Sequence, residues 1–524
     1  MNDRKRIGEA ASAPLLEAME GYARGDRLGF HVPGHRKGKG IPAAFSRLAA
    51  EYGAALDLTE LAGLDNLAAP TGCIEESQKE AARLAGSQYA YYLVNGATAG
   101  LEAAMMAMSG PDATTILPGH CHTAIYNGLI LTGSMPLIMP CLMDEEWNLP
   151  LGPDRQAAMG WLAYNASPES GGGPPDRALW ITVNPSYNGI MADLAWEKEM
   201  AGSRPGWRWL ADEAHGVHLP FVNPDGADDK AFSALTFAAD AVVQSAHKMG
   251  TGLTQTGLLH CNRPDLAGPM RQALNIMQSS SPSYLLMGSL DAWQAFLGEN
   301  GRGELRRAEE LALELAAGIR AAGGYRLWQD ELPPGYRCDP RKITLSARDL
   351  GVSGFALAEI LGREYGVDVE LAAAQYILLT VGLGHDGADI SRMIRALTKI
   401  RDDKDFFRDH SRRMGQGAKA GMNDAVGGAY SGLTKTGQKP RRPEISPREA
   451  FFRAREKVAI EDAEGRLAAV SVAPYPPGVP LLFPGMKISR GDVEAIAGLE
   501  RAGLRCAGLE REGARSLIGV VAEK

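Results

Sequence analysis

Residues 240–257, D-A-V-V-Q-S-A-H-K-M-G-T-G-L-T-Q-T-G, decide how this chain is read. An apolar, strand-like run (Ala241, Val242, Val243) gives way to Ser245, His247 and Lys248, and then to Gly250 and Gly252. Burial at a strand end disfavours the charged form of a lysine and lowers its pKa. A neutral, positioned amine can form a Schiff base with an aldehyde. Taken alone, S-x-H-K also fits a strand-end lysine that reaches solvent, so the surrounding chain has to choose.

Outward from this stretch, strand candidates recur at 89–94, 114–117, 137–139, 178–183, 207–211, 241–244 and 257–260, with helical segments between several of them. That alternation predicts an α/β domain with a mostly parallel sheet, which binds ligands at the carboxyl ends of its strands. Four such ends carry chemistry. The first is Asn95-Gly96-Ala97-Thr98-Ala99-Gly100, whose small residues let backbone N–H groups approach a phosphate at a helix start. It matches neither a loop ending in G-K-[ST] nor G-x-G-x-x-G, and alone it is equally a tight turn. The second is P-G-H-C-H-T-A, where His120 and His122 suit either a metal or stacking on a flat ring; no third ligand of suitable spacing lies nearby. The third is Asp212-Glu213-Ala214-His215, where a carboxylate can pair with a protonated ring nitrogen and Ala214 can pack under the ring. D-E-A-H also occurs in nucleoside triphosphatases, but the partner phosphate loop is missing, and a solvated turn fits as well. The fourth is Ser245, His247 and Lys248. Together these supply a phosphate cradle, a stacking histidine, a carboxylate for a pyridine nitrogen and a Schiff-base lysine. The cofactor that needs this set is pyridoxal phosphate.

Composition is consistent with that reading. A chain of 524 residues needs several domains, and 45% hydrophobic with 23% charged residues describes a globular protein. A formal net charge of −8 gives no nucleic-acid signature. The six cysteines are scattered without a C-x-x-C pair, which predicts a reducing cytoplasm over a disulfide scaffold. No apolar signal region opens the sequence and no apolar run is long enough to span a bilayer, so no membrane association is expected.

The stretches HVPGHRKGKG, DLTEL, GLDNL, YLVNGATAGLEAAM, HCH, ITVNPSYNG, DEAHG, QSAHKMGTGLTQTG, SPREAFF and YPPGVPLLFPG resemble the prokaryotic, short-form Orn/Lys/Arg decarboxylase family. They cover most of residues 25–290 and again 445–487. The resemblance implies a fold-type-I, aspartate-aminotransferase-like large domain, a small α/β domain and an extra C-terminal α+β domain. It implies that Lys248 carries the cofactor, that Asp212 keeps the pyridine nitrogen protonated, and that His122 and Ala214 cover opposite ring faces. Gly96, Ala97, Thr98 and Ser245 would hold the phosphate, His247 the phosphate or substrate carboxylate, and His215 the ring hydroxyl or substrate. The catalytic set is therefore Lys248, His122 and Asp212.

The implied reaction is decarboxylation of a basic amino acid for polyamine synthesis, with arginine first and lysine or ornithine after it. A cationic side chain needs acidic partners, and Asp57, Glu60 and Asp65 are candidates, reaching either this site or a neighbouring subunit's; Ser186 and Tyr187 are further substrate contacts. The same acids also suit helix starts and turns. A homodimer or larger assembly is expected, with no nucleic acid and no resident metal. Other fold-type-I chemistry, by an aminotransferase or lyase, is the alternative, as is a silent regulatory paralogue. No arginine clamp for an aminotransferase is identifiable, and retention of Lys248, Asp212 and His122 argues against a silent role.

The chain departs from the family at Thr123 and Ala124, where N-C-H-K-S is usual, and at Met486 and Val470, where polar residues are usual. These bear on substrate identity. The expected domains are an arm at 1–71, the large domain at 72–303, the small domain at 304–409, a Gly/Ser/Lys/Arg-rich linker at 410–444 and the C-terminal domain at 445–524. In the arm, Leu15, Leu16 and Met19 have helical spacing.

Overall fold

Seven short runs rich in branched and aromatic residues form one sheet: β1 (Tyr89–Leu93), β2 (Thr114–Pro118), β3 (Met135–Met139), β4 (Ala178–Val183), β5 (Trp207–Asp212), β6 (Ala241–Ser245) and β7 (Gly257–Cys261). In this computed structural model, which describes residues 14–166, 174–222, 232–403, 442–474, 479–501, 506–513 and 515–523, they lie in the order β1-β7-β6-β5-β4-β2-β3. Only β7 runs antiparallel to its neighbours. All seven strand candidates fall in this sheet. Strands buried on both faces read as continuous apolar runs, which is why they were visible in sequence. The carboxyl ends of β1, β2, β5 and β6 lie along one edge and deliver the helix Gly96–Met108, His122, Asp212 and Lys248 to a common region.

The small domain carries β8 (Arg326–Leu327), β9 (Lys342–Ser346), β10 (Leu371–Ala372) and β11 (Ile377–Thr380), antiparallel in the order β8-β9-β11-β10. The helices Arg302–Ala322, Gly354–Glu364 and Gly387–Asp402 supply apolar residues to its core, as the helical periodicity predicts. In the C-terminal region, β12 (Arg455–Ala459), β13 (Leu509–Glu512) and β14 (Arg515–Val521) pair in the order β12-β14-β13. The helix Pro447–Phe452 opens with Ser446, whose hydroxyl accepts the Glu449 N–H at 3.1 Å.

Many buried C-terminal residues share a core with the large domain. Phe483, Leu482 and Ile518 join one buried cluster with Tyr126 and Leu129, and the Phe483 and Tyr126 rings lie 5.0 Å apart. Met486 is buried in this cluster, and Val470 packs against it. Two of the departures from the family are thus apolar packing positions. Most of the expected linker, and Tyr475–Gly478 of the Y-P-P-G-V-P turn, lie outside the described residues.

The arm ties the domains together. Leu28–Phe30 adds a parallel strand to Val367–Val369, and Arg36 pairs with Asp389 of the small domain. Gly34 N–H donates to His247 O at 2.9 Å, and a Cβ on Gly34 would lie 2.6 Å from Lys248 O, so the loop can pass the lysine's backbone only as glycine. Leu15, Leu16 and Met19 lie on the helix Pro14–Arg24, all exposed. Among the described residues no helix is long and apolar enough to cross a membrane.

Glu197, on the helix Leu194–Ala201, is buried under β4 and accepts from Trp180 Nε1 at 2.5 Å and Thr182 Oγ1 at 2.8 Å. Burial pushes its carboxyl up to about 7, the two donors only partly opposing. A folded-state pKa above the unfolded value means stability is present at low pH and is lost as pH rises from about 4.5 to about 7. Glu197→Gln keeps one oxygen for both donors and removes the titration. Melting temperatures across this range should fall less steeply in the variant, by up to about 1.4 kcal/mol of stability per pH unit. Parallel curves for the two proteins would show that Glu197 does not titrate there.

Candidate active site

A cavity of about 390 Å³ opens at the carboxyl edge of the large sheet, between the large domain, the small domain and the C-terminal region. Lys248 lies in the turn after β6. Its Nζ is 3.1 Å from His215 Nε2. Burial pushes the amine down to about 8, with the Asp212 carboxylate opposing. Asp212 is the last residue of β5 and is 3% exposed; its Oδ1 accepts the Ala214 N–H at 3.0 Å. The strand ends around it are braced by Glu213, which is fully buried and accepts from Asn184, Ser233, Ala234 and Gln244.

His122 caps the helix Thr123–Thr132, its Nδ1 accepting the Ala124 N–H at 3.2 Å, which fixes the ring at the cavity wall. Burial lowers its pKa against the opposing Asp212 charge. His247 holds Thr256 O through Nδ1 at 3.0 Å, and burial pushes it down to about 4. His215 is held well below its ordinary value by burial and then by the Lys248 charge. Three imidazoles held below their ordinary pKa thus line the cavity with the amine. Gly96, Ala97 and Thr98 form the first turn of the helix Gly96–Met108 and line the cavity with Ser245. The opening N–H groups of a helix lack intrahelical partners and favour an anion.

This set fits pyridoxal phosphate. A depressed lysine, a carboxylate, a ring histidine and a helix start face one cavity, and His215 Nδ1 is buried there without a hydrogen-bond partner among the described residues. His120 turns instead to Cys141 Sγ, 3.1 Å away, and among the described residues no cluster could hold a metal.

All the sequence-predicted cofactor residues line this one cavity, as do Ser186 and Tyr187. Asp57, Glu60 and Asp65 do not. Asp57 is exposed, and Glu60 accepts from Thr59 at 2.6 Å. Asp65 takes the N–H groups of Asn66, Thr71, Gly72, Ile74 and Glu75 ahead of the helix Cys73–Ala85. Burial raises its pKa, but these donors outweigh that and hold it at about 2. Within this chain the three acids lie outside the cavity, and Asp65 closes a turn and a helix start; the reading in which they reach a neighbouring subunit's site is left standing. Of the other departures, Ala124 is wholly buried behind His122.

Sequence reading missed Glu370. It lines the cavity from the small domain, its Oε1 accepting from Tyr187 OH at 2.8 Å and its Oε2 from Val32 N–H at 2.7 Å. Its only local signal is an acid closing the apolar run V-D-V-E-L. Pro474, Val479 and Leu499 line the cavity from the C-terminal region, while Met486 and Val470 do not.

Fold and site together define a fold-type-I, pyridoxal-phosphate-dependent enzyme. The family model for the Orn/Lys/Arg decarboxylase major domain matches residues 13–332, and that for the family's C-terminal domain matches 432–513. The chain belongs to the Orn/Lys/Arg decarboxylase family and is a decarboxylase of basic amino acids. It is 29% identical to an arginine decarboxylase of Halalkalibacterium halodurans over 96% of both chains. It is 28% identical to an arginine decarboxylase of Bacillus subtilis over 98% of both. The solved constitutive lysine decarboxylase of Escherichia coli superposes with a TM-score of 0.75 over 98% of this chain and 82% of that one, at 20% identity.

Proposed function

We propose that this enzyme converts arginine to agmatine and CO₂, feeding polyamine synthesis, and that it works as a homodimer or larger assembly. The observation that carries the chemistry is the buried Lys248 amine, about 8, set between His215 and the Asp212 charge. The choice of arginine is supported by relatives that carry that activity in their names and match this chain over nearly its whole length.

Pyridoxal phosphate, when bound, supplies an aldehyde that takes the substrate amine and a ring that accepts the electron pair of the breaking bond. Lys248 Nζ would hold the cofactor's aldehyde, Asp212 would hold a proton on the pyridine nitrogen, and the helix start at Gly96–Thr98 would bind the phosphate with Ser245. His122 and Ala214 would pack against the ring. The proton that replaces CO₂ would come from a protein group at the cavity wall. Lys248 Nζ delivers it to Cα, with His122 as the second donor; His215 Nε2, 3.1 Å away, is where the lysine exchanges its own proton.

CO₂ release from arginine, lysine and ornithine by the cofactor-loaded protein, with Lys248→Ala as control, tests this. Release from arginine at a kcat/KM at least about 10-fold above the other two is the expected result. Preferential release from lysine or ornithine would reassign the substrate. No release from any of them would remove the reading.

A further inference from the structure

His215 Nε2 lies 3.1 Å from the Lys248 amine, and two supports hold the ring there. One is the Tyr187 ring, edge-on to it with 4.9 Å between ring centres. The other is its own turn, in which Gly216 N–H donates to Glu213 O at 2.7 Å and Leu219 N–H to Gly216 O at 2.9 Å. A Cβ on Gly216 would lie 2.9 Å from Leu219 Cδ1 and 3.1 Å from Asn184 O, so the turn has little slack. A displacement of His218, three residues on, is therefore passed back to His215.

One segment of the small domain, residues 338–342 leading into β9, reaches both supports. Asp339 N–H donates to Gly189 O at 2.8 Å, and Cys338 forms a β-bridge with Ile190, both in the loop that carries Tyr187. On the other side, Asp339 Oδ2 lies 3.0 Å from His218 Nε2, with both side chains buried. Asp339 Oδ1 takes the Arg341 N–H at 3.0 Å, and Arg341 Nε stands 3.8 Å from the same oxygen. Asp339 Oδ2, His218 Nδ1 and both Arg341 Nη atoms are buried without a hydrogen bond among the described residues, so the His218–Asp339 approach is a close contact and not a linear hydrogen bond. Buried charges and unpaired polar atoms of this kind cost stability relative to apolar packing. A costly cluster set directly behind the residue that meets the reactive amine points to a part in the reaction.

We propose that His218 and Asp339 are positioning residues: their contact couples the small domain to the turn of His215 and so holds His215 Nε2 against Lys248. The inference rests on the decarboxylase reading above and adds to it the group through which one domain sets the geometry of the amine in the other.

The test compares His218→Leu, His218→Gln, Asp339→Asn and His215→Leu with double variants that combine His215→Leu with His218→Leu or Asp339→Asn. Glutamine places an amide N–H near the position of Nε2, and leucine does not. In cofactor-free protein, the pH dependence of Lys248 labelling by an amine-directed reagent reads the His215 contact without turnover. His218→Leu should move the midpoint in the same direction as His215→Leu and add nothing to it in the double variant. In the cofactor-loaded enzyme, His218→Leu should lower kcat at least about 10-fold with KM changed less than about 3-fold, while His218→Gln keeps most of the rate. Should His218→Leu fail to fold, Asp339→Asn, which keeps the shape and removes the charge, must show the same midpoint shift and the same lack of addition to His215→Leu. An unmoved midpoint in a single variant, additive effects in the double variant, or equal losses with leucine and glutamine would each overturn the proposal. If no basic amino acid is decarboxylated but the midpoints follow this pattern, the decarboxylase reading fails and the coupling stands.

Discussion

Lys248→Ala is expected to lower CO₂ release by at least about 10³-fold and to leave the protein folded. Alanine has no amine, so on the roles proposed for Lys248 the variant loses both its covalent hold on the cofactor and the proton donor for Cα. Two further readouts separate this from general damage. Borohydride should fix the cofactor to wild type and not to the variant. A small added amine should restore part of the rate, because a free amine can enter the space that the side chain vacates. The substitution also removes a buried group that is charged in part near neutral pH, its pKa being about 8, and this offsets some of the packing lost beside His215. Retention of borohydride labelling in the variant would mean that another lysine carries the cofactor. Lys342 is the buried alternative, but its amine donates to Thr380 in the small-domain sheet and it does not line the cavity.

Much of the site could be read in the sequence because it is built from strand ends. Each of β1, β2, β5 and β6 is a short apolar run followed at once by small or polar residues, so strand and chemistry lie side by side in the chain. Glu370 had no such signature. Its partners Tyr187 and Val32 lie 183 and 338 residues away in sequence, and nothing local marks an acid as facing a cavity formed by three parts of the chain. Asp65 illustrates the opposite case. An acid among apolar residues suggested a substrate partner, but five neighbouring N–H groups had the stronger claim on it. Turn and cap chemistry is satisfied locally, whereas the cavity wall is assembled from segments of different domains. The departures at Met486 and Val470 read in the sequence as bearing on substrate identity for the same reason: that the C-terminal residues share a core with the helix after His122 depends on packing between distant segments.

Asp212→Asn isolates charge from shape. Asparagine has nearly the same size and keeps an oxygen for the Ala214 N–H, so the turn after β5 should survive. What is removed is the anion proposed to hold a proton on the pyridine nitrogen. Loss of one electrostatic stabiliser of this kind costs about 10²–10³-fold in kcat, and a fall of that size is expected, with a smaller change in KM. The same charge raises the pKa of Lys248 against the effect of burial. In the cofactor-free variant the amine should therefore titrate below its wild-type value of about 8, and His122, which Asp212 also supports, should move down with it. The pH dependence of lysine labelling by an amine-directed reagent reads the first shift, and NMR titration of the His122 ring reads the second. A lower kcat with both titrations unmoved would place the action of Asp212 wholly on the cofactor. Unmoved titrations with an unchanged kcat would show that its charge does not reach the site at all.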